Sequence, residues 1–364
     1  MGRRTGRVKG LSDAPAPAAL RSGRVVARAA TPYRSPAEVG MGMLVDGKWK
    51  DVWYDTTASG GAFVRHEAAF RDVVEDAPGA RFRAEPGRYH LYVSWACPWA
   101  HRTMIVRALM GLQGVIGASV VDPLMREQGW TFGAGPGGEP EPLFGARTLH
   151  EIYTRARPDY TGRVTVPVLW DRKEATIVNN ESAEILRILN HGFARLATEP
   201  CPDLYPAALR AVIDPIEAHV YDTVNNGVYK AGFATAQPVY EQAVRALFAS
   251  LDGLEALLAT QSWLAGDRLT EADLRLFTTL VRFDAVYHGH FKCNLRRLVD
   301  YPNLWDHTRA LHQVPAIGAT VRLDHVKQHY YGSHPTINPT GIVPLGPLLD
   351  FSAPVSPARA RPLG

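Results

Sequence analysis

Across 364 residues, 46% hydrophobic and 21% charged, the composition is that of an ordinary globular protein with room for two domains. The formal charge of +4 is concentrated at one end: in residues 1–40 eight Lys and Arg face only Asp13 and Glu38, giving +6, so the other 324 residues carry −2 and offer no basic surface for nucleic acid. No apolar run approaches the ~20 residues that span a bilayer, which excludes a membrane helix, and Cys97, Cys201 and Cys293 are too sparse for a secreted disulfide framework, which points to a reducing, cytoplasmic setting.

Residues 1–40, rich in Arg, Ala, Pro and Gly and without apolar periodicity, read as a disordered or targeting extension. An organelle transit peptide has this composition, and so has translated sequence upstream of a start at Met41 or Met43. Residues 41–195 form the first predicted domain. Tyr89, Leu91, Val93 and Trp95 alternate along a strand over 89–95, and Pro98 opens a helix over 98–112 in which Ile105, Ala108, Leu109 and Leu112 fall on one face. Strands over 115–121, 164–170 and 176–178 and a helix from Glu181 complete the order of a thioredoxin-like α/β domain. Residues 123–162 read as a long irregular insertion. Its glycine-rich run 132–138 is not a phosphate loop, because Pro136 interrupts it, no strand leads in and no helix follows.

From 203 to 326 the pattern is all-helical, with Val244, Leu247, Leu251, Leu254, Leu257 and Leu258 as one apolar stripe. Within it Thr270 reads as an N-cap, Asp273 as its acidic partner and Leu269 with Leu274 as a hydrophobic staple. Residues 327–364, rich in Pro and Gly, read as an irregular tail. The predicted fold class is therefore α/β plus all-α.

Between the first strand and the first helix lies Ser94-Trp95-Ala96-Cys97-Pro98-Trp99-Ala100-His101-Arg102. A thiol at a helix N-terminus feels the positive end of the helix dipole, which favours thiolate and makes the sulfur a nucleophile. Position 100 is alanine, so no Cys-x-x-Cys disulfide can form and a mixed disulfide on Cys97 must be resolved by an outside thiol. Cys201 and Cys293 have no activating context and read as structural. The 13 histidines, His325, His329 and His334 among them, show no zinc spacing; they read as surface or packing residues, and no metal is expected.

Taken with Gly129-Trp130-Thr131-Phe132, Arg163 to Asp171, Asn180 to Ile185, Tyr221 to Ala234, Leu280 to Asp284 and Thr336 to Gly341, this segment closely resembles the glutathionyl-hydroquinone reductases, also called Xi-class glutathione transferases. The resemblance runs from about Met41 to the C-terminus. It implies a thioredoxin-like N-terminal domain followed by an all-helical glutathione-transferase C-terminal domain, usually in a homodimer. The implied reaction is reduction of a glutathionyl-hydroquinone by glutathione, the co-substrate, to hydroquinone and glutathione disulfide.

By the same resemblance Cys97 is the nucleophile and passes through a Cys97-glutathione mixed disulfide. Trp130, Arg163, Val164, Thr165, Val166, Glu181 and Ser182 are expected to bind glutathione. Val166-Pro167 stands at the family's cis-proline turn, and Glu181-Ser182 opens a helix whose free amides suit the γ-glutamyl carboxylate. Tyr229 is expected to exchange a proton with the hydroquinone oxygen, and Tyr287 and Tyr330 to donate hydrogen bonds to the cysteine sulfur. Tyr331 leaves the register at the third tyrosine open. An omega-type thiol transferase or dehydroascorbate reductase shares the cysteine-proline start, and a non-catalytic glutathione-transferase-like binding protein is the reading that needs no activated thiol.

Overall fold

Strand β3, Tyr89–Val93, is buried at all five positions, because both faces of its sheet are covered, and this is why its sequence is apolar beyond simple alternation. A computed structural model describes residues 42–360 apart from 53, 66, 134, 136 and 137, together with Gly2. Contacts divide the chain into Met1–Arg34 and Ser35–Gly364; the fold given is that of the second, and the extension expected over 1–40 lies, Gly2 aside, outside the described residues.

Two short strands precede β3, β1 (Met43–Val45) and β2 (Lys48–Lys50), and helix α1 (Pro98–Leu109) follows it. Then come β4 (Gly117–Val120), α2 (Leu149–Ala156), β5 (Gly162–Arg163), β6 (Val168–Asp171), β7 (Thr176–Asn179) and α3 (Ser182–Arg187). The main sheet has the order β4-β3-β6-β7, with β3 parallel to β4 and the other pairs antiparallel. A second sheet pairs β2, β1 and β5. This is the thioredoxin-like arrangement expected for the first domain, although the strand expected over 164–170 begins only at Val168, past Pro167, whose nitrogen has no hydrogen to pair, and two further differences stand out. Helix α1 stops at Leu109 instead of 112, since Gly111 takes φ +63, and a Cβ there would meet Thr198 Oγ1 at 2.1 Å. Second, the segment 123–162 is not wholly irregular: it holds α2, opened by a capping box between Thr148 and Glu151.

Helices α4 (Arg210–Val220), α5 (Gly227–Gly232), α6 (Gln237–Leu258), α7 (Glu271–Arg282), α8 (Pro302–His312), α9 (Pro315–Gly318) and α10 (Leu323–Ser333) make up the rest. α7 is buried at every position. Its start is the expected capping box: Asp273 Oδ2 accepts from the Thr270 amide and hydroxyl, both at 3.0 Å, while Oδ1 accepts from the Leu264 amide at 2.8 Å. π-helical turns at Tyr221–Asn225 and Phe283–Tyr287 break the regular winding between α4 and α5 and after α7.

The tail expected over 327–364 begins later than its composition suggests. Residues 327–333 continue α10, because Val326 and Tyr330, four apart, are both buried on its inner face and no proline intervenes before Pro335. Beyond, the chain is extended but tied down. Gln313 donates to the Phe351 and Ala353 carbonyls at 2.8 Å, and the Arg359 guanidinium reaches Asp306 at 2.9 Å.

Candidate active site

Cys97 is the N-cap residue of α1, with extended backbone (φ −75, ψ 120), and its sulfur accepts from the Ala100 amide at 3.5 Å where a serine or aspartate oxygen would usually sit. The thiol in turn donates to the Val166 carbonyl at 3.6 Å. The Val166-Pro167 bond is cis, and this turn carries the backbone against the sulfur. Ala100 is fully buried, which leaves Cys97 as the lone thiol of the motif.

The sulfur opens into a cavity of about 440 Å³ walled by both domains. Trp130, Arg163, Thr165, Val166, Glu181 and Ser182 line it, as do Tyr229 and Tyr330. Val164 does not; it is buried in the core beneath. Tyr287 also stays behind the wall, fully buried, with its hydroxyl 3.1 Å from that of Tyr330. Tyr229 and Tyr330 hydroxyls lie 2.5 Å apart, so the three phenols form one chain with Tyr330 at its centre. Tyr331 is turned away, its hydroxyl 3.5 Å from the Ala285 carbonyl, so Tyr330 is the one of the two that lines the cavity. Two bonds consume two of the three hydroxyl protons, and when the donors run outward from Tyr287 the third is left at Tyr229, in the cavity wall. Burial raises the pKa of all three phenols, so they stand as neutral donors.

Two expectations need correction. Tyr330 shares hydrogen bonds with Tyr287 and with Tyr229, and neither of these bonds goes to the Cys97 sulfur. Nor does the helix N-terminus make Cys97 a ready thiolate. Burial pushes its thiol above the ordinary value, outweighing the amides of Ala100 and Trp99 and the cations of Arg282 and Arg65, which act the other way. At Glu181-Ser182 the helix end is partly satisfied already, since Glu181 accepts from the Ala183 amide at 3.1 Å. Arg163 also has a tie of its own, donating to the carbonyls of Gly42 at 3.0 Å and Val52 at 2.8 Å while lying over the Tyr54 ring.

Several residues with no expected part in the site shape it, among them His329 and His334, which read in the sequence as surface or packing residues. Arg65, from irregular chain before β3, lies over the Trp99, Tyr229 and Phe63 rings at 4.6, 5.2 and 5.4 Å. Arg282 at the end of α7 donates to the Trp95 and Ala96 carbonyls at 2.9 and 3.0 Å, holding the loop that presents Cys97. His329 stacks on Trp130 at 4.8 Å and donates through Nδ1 to the Pro123 carbonyl; it and His334 line the cavity, while His325 is buried elsewhere. Among the described residues no group of three or more His, Cys, Asp or Glu is placed to hold a metal ion, and no helix is long and apolar enough to cross a membrane.

The chain is similar to known proteins in sequence and in fold. The glutathione S-transferase N-terminal domain matches residues 96–191 and the glutathione S-transferase C-terminal domain residues 237–310. A glutathionyl-hydroquinone reductase of Sphingobium chlorophenolicum is 57% identical over 307 residues, covering 84% of this chain and 96% of its own. Among solved structures, a Xi-class glutathione transferase from Natrialba magadii superposes with a TM-score of 0.81 at 50% identity, over 87% of this chain and 96% of its own. A glutathione transferase homologue from Escherichia coli, solved with glutathione bound, gives 0.77 at 48% identity over 89% and 98%. With identity at this level along almost the whole of each relative, the chain belongs to the glutathionyl-hydroquinone reductases, the Xi class of the glutathione transferases.

Proposed function

We propose that the protein reduces glutathionyl-hydroquinones with glutathione, yielding the hydroquinone and glutathione disulfide. The observation that carries this reading is that the lone capped cysteine and the chain of tyrosine hydroxyls open into one cavity. In the first step Cys97 sulfur attacks the glutathione sulfur of the conjugate. A sulfur–sulfur bond forms and the carbon–sulfur bond to the ring breaks; the pair of electrons goes to the ring, which gains a proton as the Cys97 thiol loses one. A thiol that is protonated at rest therefore suits the balance, and the hydroxyl chain, reaching the cavity at Tyr229 and Tyr330, stands where the ring and its oxygens need a proton exchanged. In the second step a second glutathione attacks the mixed disulfide, releasing glutathione disulfide and restoring Cys97. Two glutathione sulfurs are oxidised and the ring is reduced.

In this reading Trp130, Arg163, Thr165, Val166, Glu181 and Ser182 hold the peptide, with Val164 supporting them from the core. All three cysteines are free thiols, in keeping with a reducing, cytoplasmic compartment. The family's homodimer belongs to the proposal and is read by sedimentation. The test is steady-state release of hydroquinone from glutathionyl-menadiol or glutathionyl-benzohydroquinone, comparing the intact chain with Cys97→Ala. Release that vanishes in the variant is the expected result. Absence of release, with reduction of a small mixed disulfide intact, replaces the proposal by thiol transfer, a reaction that has no use for three linked phenols.

A further inference from the structure

Arg102 sits on α1 five residues beyond Cys97, and it is 1% exposed. A guanidinium removed from water ordinarily meets a carboxylate. Here its hydrogen-bond partners are neutral: Nη2 donates to Asn225 Oδ1 at 2.8 Å, Nη1 to Ser182 Oγ at 3.3 Å, and the plane lies 4.5 Å from the Trp99 ring centre. Nε is buried without a partner. Among the described residues no ion pair to Arg102 exists. Burial and the neighbouring Arg275 pull its pKa down against the more distant carboxylates of Glu181 and Glu217, the mark of a cation held at a cost.

Its orientation is built in. Asn225 gives its Nδ2 to the Arg275 carbonyl at 3.0 Å and to Thr279 Oγ1 at 2.8 Å, which turns Oδ1 toward the guanidinium. Held from behind, Arg102 reaches the back of Ser182, whose other side faces the cavity. Since Ser182 Oγ accepts from Arg102, its own proton must be donated elsewhere. Within the protein the acceptor on offer is Glu181 Oε1, at 3.4 Å and already accepting from the Ala183 amide. A carboxylate in the cavity is the better acceptor, and through the serine the same carboxylate faces a cation that no carboxylate of the chain reaches by hydrogen bond. Beside it the Glu181 carboxylate suits an ammonium group. A carboxylate and an ammonium on one carbon are the amino-acid end of a γ-glutamyl peptide.

We propose that Arg102 is the positioning residue for that end of glutathione: it orients the Ser182 hydroxyl and neutralises the γ-glutamyl α-carboxylate through it. This rests on the reading of the cavity as a glutathione site. The experiment compares glutathione with 4-aminobutyryl-cysteinylglycine, which keeps the thiol and amine and lacks the α-carboxylate, as reductants of one glutathionyl-hydroquinone. For the wild type the analogue is expected to show KM about 10- to 100-fold higher. Arg102→Gln raises KM for glutathione by a similar factor, leaves kcat within about threefold and leaves KM for the analogue unchanged. Arg102→Lys, which keeps the charge, recovers part of the loss for glutathione alone and serves as the readout if the glutamine variant does not fold.

A merely structural role for Arg102 moves both reductants by the same factor, and that result overturns the proposal. So does a wild type that turns over with glutathione yet treats the two thiols alike, which leaves the reductase reading standing. A wild type that reduces nothing with glutathione removes that reading and the proposal with it.

Discussion

A sulfur that caps a helix and a sulfur that attacks the thioether of a conjugate both gain from negative charge, and Cys97 must be both in a buried setting that opposes it. Its amide contacts favour charge, yet burial wins and holds the thiol protonated. Alkylation of Cys97 by iodoacetamide is therefore expected to keep rising with pH beyond the range where an ordinary thiol has levelled off; a midpoint below that of free cysteine would contradict this. Tyr229→Phe and Tyr330→Phe each interrupt the hydroxyl chain at the cavity, and a loss of about 10²-fold in kcat is expected for each, with KM for the conjugate little changed. Tyr287→Phe, one step behind the wall, should cost less in kcat but about 1–3 kcal/mol in stability if it leaves Tyr330 short of a partner. How much of this was legible depended on the type of signal. Cys97 announced itself by its strand, proline and helix, whereas the tyrosines came only from the resemblance, because no spacing links positions 229, 287 and 330. Arg65 left no trace at all: it lies in chain without periodicity, and only the fold brings it over Trp99.

Among the elements, α7 was the easiest to read and is the one on which most depends. Its capping box is a local, four-residue pattern, and the structure adds that Asp273 also receives the Leu264 amide at 2.8 Å and His307 Nε2 at 3.0 Å. Thr270→Ala should therefore cost about 1–2 kcal/mol, while Asp273→Ala, which orphans several buried donors at once, should exceed about 3 kcal/mol. Urea unfolding of the two variants checks the order, and equal losses would show that the carboxylate's outside partners contribute nothing. Helix α2 carries the same kind of capping box at Thr148 and Glu151 and could have been found by it; the glycine- and proline-rich run just upstream drew the whole of 123–162 into one irregular stretch. The π-helical turns had no such marker. They depend on how α4 and α7 pack, and one of them ends at Tyr287, so part of the site's geometry lies beyond any local pattern.

For the molecule as a whole, buried histidines set the response to acid. Burial pushes His90 down to about 4, His290 to about 3 and His329 to about 4, and holds His101 and His334 well below the ordinary value. Each stays neutral in the fold while its unfolded counterpart takes a proton near pH 6.5, so stability is full above that pH and falls as pH drops toward 4. Every such histidine contributes about 1.4 kcal/mol per pH unit within its window. Urea midpoints at pH 7.5, 6 and 5 should decline steeply over the lower interval, and a flat series would refute the assignment. The far end of the chain adds a constraint of another kind. Asp306, on α8, is 7% exposed, and the arginine that crosses the tail to meet it stands 53 residues further on. During synthesis α8 and α10 are made before that guanidinium, and until it arrives the carboxylate has Arg309 beside it. The protein is thus clasped late, and nonsense or frameshift changes between residues 350 and 359 should behave as folding lesions, cleared by quality control although every residue lining the cavity has already been made.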